Sequence, residues 1–186
     1  MDWNEQLIEQ LDWHWSHQLR PRLEGLGDDE YLWEPVPECW NVRARDASTS
    51  PMAPGSGPHT IDFAWPQPDP PPVTTIAWRL AHVIVGVLGM RVAAHFGGPS
   101  VDYQSYGYAG TASDAVDQLD SAYAAWIAGV RGLGADGLTR PCGPAEPFPE
   151  LPLGALVLHI NREVIHHGAE IALLRDLYRD RPPPSR

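Results

Sequence analysis

The segment LHINREVIHHGAEIALLRDLY carries His159, Glu163, His166, His167 and Glu170 three or four positions apart, which crowds them onto one side of a helix. Leu156 and Leu174 share that side and should turn it inward. An unpaired charge inside a core costs several kcal/mol, so inward-facing imidazoles and carboxylates need partners or a metal ion. A second segment, TTIAWRLAHVIVG, places His82 among Leu80, Val83 and Ile84 on a largely apolar helix. His82 with Glu163 and a histidine of the later segment would supply two imidazoles and a carboxylate from two helices. Such a three-ligand set leaves a fourth position open, as in catalytic zinc sites, and it also suits non-haem iron. A divalent ion there would lower the pKa of a bound water or thiol and deliver a nucleophile near neutral pH.

Four helices are expected to carry these groups. Leu7, Leu11, Trp15, Leu19 and Leu23 recur at steps of four and predict a first helix from about Asn4 to Leu26, with a kink or restart at Pro21. The second is capped by Thr74 or Thr75 and runs to the glycine pair Gly97 and Gly98; it is apolar nearly all round, as a helix surrounded by others would be. Ser113 or Asp114 should cap the third, whose apolar stripe is Val116, Leu119, Tyr123, Trp126 and Val130. The fourth contains the His/Glu cluster and ends before the final prolines. The expected fold is all-α: a four-helix bundle, one domain over residues 1–180, with 181–186 a disordered tail.

Between the first two helices lies a proline-rich loop of roughly 45 residues, far longer than most connections. Trp33, Trp40, Phe63 and Trp65 should pin parts of it to the domain, while DASTSPMAPGSGPH reads as its mobile piece. The acidic run Asp28, Asp29, Glu30 reads as helix-initiating surface. A G-x-G-x-x-G, Gly132 to Gly137, follows a helix rather than a strand and so reads as a helix stop and loop. Only one E-x-x-H unit is present, Glu163 to His166, which argues against a two-metal carboxylate site.

A net charge of -11 disfavours nucleic acid and anionic membranes as partners. The start, MDWNEQLIEQ, lacks the basic and apolar regions of a secretory signal, and Cys39 and Cys142 read as free thiols, so a cytoplasmic setting is expected. His14 and His17 read as surface or packing residues.

With LDWHWSHQLRPRLEGL and YLWEPV, the two ligand-bearing segments make the chain resemble the DinB-like superfamily, which includes mycothiol-dependent maleylpyruvate isomerases and related thiol transferases. The resemblance implies metal ligands at His82, Glu163 and His167, and it selects His167 over His166, a choice the spacing leaves open. His159 and His166 become neighbours of the site. Glu at 163, where many members have His, is similar to the mycothiol-dependent branch. The resemblance further implies zinc or nickel, attack by a low-molecular-weight thiolate on a small-molecule electrophile, and a homodimer. The rival expectations are a non-catalytic metal- or ligand-binding stress-response bundle, and a polar core network holding no metal.

Overall fold

The computed structural model describes residues 1–182. The chain is mostly helical with one small two-stranded sheet. Of the expected C-terminal tail, residues 183–186 lie outside the described part.

Helix α1, residues 3–22, begins with the Asp2 carboxylate accepting from the backbone of Asn4 and Glu5. Its α-helical turns, Trp3–His14, widen into a π-helical turn, Trp15–Leu19, in which the Arg20 N–H reaches the Trp15 carbonyl. The widening falls just before Pro21, which has no N–H to give and whose ring crowds the preceding turn. Leu11, Trp15, Leu19 and Leu23 are buried as the four-residue spacing predicts. Trp15 stacks on Tyr123 with ring centroids 3.8 Å apart.

Helix α3, Ile76–Phe96, is capped by Thr75, whose hydroxyl accepts from the Trp78 N–H. It ends at Gly97, which adopts a left-handed φ of 71°. By length and composition α3 is apolar enough to cross a membrane, and most of its apolar stretch is buried inside the protein. Helix α4, Ala112–Arg131, is capped by Thr111 rather than by Ser113 or Asp114. The reason is local: the Thr111 hydroxyl accepts from the Asp114 N–H, and the Asp28 carboxylate accepts from the first-turn N–H of Ala112. A short helix α5, Gly134–Thr139, occupies most of the glycine-rich segment expected to be loop. Helix α6, Leu153–Arg179, follows Pro152. Both α1 and α3 pack against α4 and α6.

The long connection is more structured than its composition suggests. It contains helix α2, Asp28–Tyr31, and strands β1, Val42–Ala44, and β2, His59–Ile61, paired antiparallel with Val42 opposite Ile61. The stretch expected to be mobile is tied down: Ser50 and Met52 bond to Phe63, Arg45 donates to the carbonyls of Gly55 and Gly57, and Ser56 bonds to Ser105 and Tyr106. Glu30 corrects the reading of the acidic run as surface. It is buried and paired with Arg175 of α6 at 2.8 Å, while Asp28 caps α4.

Candidate metal centre

His82 closes the α-helical part of α3, immediately before a π-helical stretch, Val83–Gly89. One turn earlier, Trp78 stacks on its ring at 5.4 Å, and the Trp78 indole N–H is anchored on the Asp62 carbonyl at 2.9 Å. Trp40 packs on Trp78 in turn, so the proline-rich connection buttresses this face of α3. The His82 Nδ1 lies 2.7 Å from the Tyr103 hydroxyl. Burial, helped by the nearby His167 and Arg79, pushes the His82 imidazole down to about 4. It is therefore neutral at pH 7, the form that ligates metal.

Glu163 and His167 face it from α6. The rings of His82 and His167 meet edge to face, with centroids 4.9 Å apart at 87°. The His167 Nε2 lies 3.7 Å from the Glu163 Oε2. On its other side, the His167 Nδ1 hydrogen-bonds the Glu170 carboxylate at 2.7 Å, and Arg79 of α3 reaches the same carboxylate at 3.2 Å. Burial also lowers the His167 pKa, against the pull of Glu170. Arg162 donates to the Glu163 Oε1 through both Nε and Nη2 at 3.2 Å, leaving Oε2 toward His167.

The structure thus makes neighbours of His82, Glu163 and His167, residues 81 or more positions apart between the two helices. It also forms a second grouping. His166, His167 and Glu170 each offer one ligand atom within 4.8 Å of the others, a His/Glu group that could hold a metal ion. His167 belongs to both groupings. His166 is exposed and reaches Glu170 at 3.5 Å. His159 lies 3.5 Å from the Glu163 Oε1 and also contacts Arg162.

Of the remaining histidines weighed as ligands, His17 is exposed and stacks on Trp13. His14 is partly buried against Gly168, and its Nε2 has no hydrogen-bond partner among the described residues. Two residues at the site were not singled out from sequence, Tyr103 and Arg79. Arg79 had a visible signal, a cation three residues before His82 on an apolar helix. Tyr103 had none, because it lies in a connection without periodicity.

Beside Glu163, a cavity of about 320 Å³ opens between α3, the loop before α6 and the first turns of α6. His159 and Arg162 form its edge at Glu163, while Phe148, Leu151 and Leu156 give it apolar walls. Arg91 and the nearly buried Glu146 close the far side, paired at 3.3 Å, and His95 bonds Glu146 at 2.9 Å. Apolar walls with a few polar groups, here at both ends, are the usual form of a small-molecule site.

The family model of the DinB superfamily matches residues 10–171. No curated protein and no solved structure matches the chain. The family match spans most of the sequence, and the chain belongs to the DinB superfamily.

Proposed function

We propose that this DinB-superfamily member binds one divalent metal ion through His82, Glu163 and His167 and uses it to activate a small thiol of the mycothiol type against an electrophile. The observation that carries the reading is the disposition of the two imidazoles. Each has its Nδ1 engaged, by Tyr103 on His82 and by Glu170 on His167, which leaves each Nε2 as the available donor. Metal-bound histidines commonly tie their second nitrogen to a carboxylate or hydroxyl in this way.

The donor chemistry fits. The 3.7 Å between His167 Nε2 and Glu163 Oε2 is too long for a hydrogen bond. It is close to the roughly 3.3 Å expected between two ligands each about 2.0 Å from a tetrahedral ion. Two neutral imidazoles and one carboxylate leave a dication with net positive charge, suited to an incoming anion. When bound, the ion would lower the pKa of a coordinated thiol toward neutrality. The chain's own part is placement: Arg162 turns Glu163, Glu170 turns His167, and the cavity beside Glu163 gives an apolar electrophile an apolar wall. The same reading takes residues 1–180 as one four-helix-bundle domain of a cytoplasmic homodimer, with zinc or nickel as the ion.

The rival grouping, His166, His167 and Glu170, has compactness in its favour. Against it stands Arg79, whose Nη1 lies 3.2 Å from Glu170 and 3.4 Å from the His167 Nδ1. There the Glu170 carboxylate is already engaged twice, by Arg79 and by the His167 Nδ1 at 2.7 Å, so two of the three groups that would hold the ion are bonded to each other. The second functional reading, a metal-binding protein without catalysis, predicts the same metal and no turnover.

Elemental analysis of the purified wild type beside His82→Ala and Glu163→Ala tests the reading. One ion per chain in the wild type and none in either variant is expected; unchanged metal in His82→Ala overturns the ligand set. A thiol-transfer assay across a panel of electrophiles then separates enzyme from binder, since metal-dependent turnover is expected of the first alone.

A further inference from the structure

Tyr103 sits outside every helix, in the connection between α3 and α4, yet among the described residues its hydroxyl is the one partner of the His82 Nδ1. Its place is reserved from below. A Cβ on Gly86, one turn after His82 on α3, would come within 2.0 Å of the Tyr103 hydroxyl oxygen and 3.3 Å of the His82 Nδ1. Only glycine leaves that space, and its cost is the conformational freedom of a glycine inside a helix.

The connection that carries Tyr103 is itself pinned. The Tyr108 hydroxyl donates to the Tyr103 carbonyl at 2.9 Å, and Asp102 accepts from the N–H groups of Gln104 and Ser105. Ser56, from the proline-rich connection, donates to the Ser105 carbonyl through its hydroxyl at 2.6 Å and to the Tyr106 carbonyl through its N–H at 2.9 Å. A chain of contacts therefore runs from Ser56 of the proline-rich connection, through the Tyr103 loop, to one imidazole. A phenol held this way stands to His82 as Glu170 stands to His167: each sits within hydrogen-bond distance of Nδ1 and fixes the ring plane.

We propose that Tyr103 is a positioning residue for the metal centre, accepting the His82 Nδ1–H so that Nε2 is presented to the ion, and that Gly86 is required because it admits the Tyr103 hydroxyl. The inference rests on His82 being a ligand, as proposed above. In the ligating state the proton stays on Nδ1, the Tyr103 oxygen accepts it, and Nε2 gives its lone pair. No covalent change at Tyr103 is involved.

The test is Co²⁺ affinity by chelator competition, together with the visible spectrum of the Co²⁺ protein, for wild type, Tyr103→Phe, Gly86→Ala, the double variant and His82→Ala. Tyr103→Phe should weaken Co²⁺ on the order of 10- to 100-fold and shift the spectrum, with the metal-free protein melting near the wild-type temperature. Gly86→Ala should weaken it to a similar degree. The double variant should be little worse than Tyr103→Phe alone, because both changes remove one hydrogen bond. Wild-type affinity in Tyr103→Phe, with Co²⁺ lost in His82→Ala, overturns the positioning role and leaves the metal reading standing. Full Co²⁺ binding in His82→Ala overturns both. Should Gly86→Ala fail to fold, Tyr103→Phe, which only deletes an oxygen, still decides.

Discussion

Helices α3 and α6 meet the same candidate site in opposite ways. Around His82, α3 is mostly hydrocarbon: Leu80, Ala81, Val83 and Ile84 are buried, and among the described residues the imidazole has one hydrogen-bond partner, the Tyr103 phenol. Around His167, α6 offers a surplus of donors, with Glu163, His166 and Glu170 all within a turn. A scarce donor on an apolar helix needs only to be held. A crowded set needs to be sorted, and Arg79 and Arg162 do this by engaging Glu170 and one oxygen of Glu163. Specificity at this site therefore comes from different physics on its two halves: steric reservation at Gly86 on one, charge pairing on the other.

The sharpest way to separate the halves is acid. His82 is held at about 4 by burial against an ordinary 6.5, so the unfolded chain takes up a proton first as the pH falls. Its contribution to the stability of the metal-free protein is complete above pH 6.5 and is lost between 6.5 and about 4, for about 3 kcal/mol at most. Urea unfolding of metal-free wild type and His82→Gln at pH 7.5 and 4.5 should show a markedly smaller acid loss in the variant. Equal losses would move the acid sensitivity to the other imidazoles whose pKa burial lowers, His167 of α6 or His14 of α1.

A smaller effect is expected from Glu170→Ala. If Glu170 only orients His167, the variant should bind zinc on the order of tenfold more weakly at unchanged stoichiometry, read by competition with a chromophoric chelator. Loss of the ion altogether would make Glu170 a ligand and favour the rival grouping. The smallest change belongs to His166→Ala, whose side chain is 61% exposed. Zinc affinity within about twofold of wild type is expected there, as for surface changes away from a site.

Much of this was legible in the sequence because helices and their faces are periodic. Leu11, Trp15 and Leu19 at steps of four, and Glu163 four residues before His167, put side chains on one face whatever the tertiary context. The choice of His167 over His166 came from family resemblance and was not contained in the spacing. What escaped is what periodicity does not encode. Strands of three residues show no alternation to read, so β1 and β2 were hidden within a proline-rich stretch. Glu30 reads as surface until Arg175, 145 residues away, is placed beside it. Tyr103 and Gly86 acquire meaning only together, through a hydroxyl filling the space above a glycine.

The central claim is where the ion sits. Crystals grown with zinc, with an anomalous difference map collected at the zinc edge, test it directly. One peak about 2 Å from the Nε2 atoms of His82 and His167 and from the Glu163 carboxylate is the predicted result. A peak between His166 and Glu170, with His82 unliganded, would contradict it.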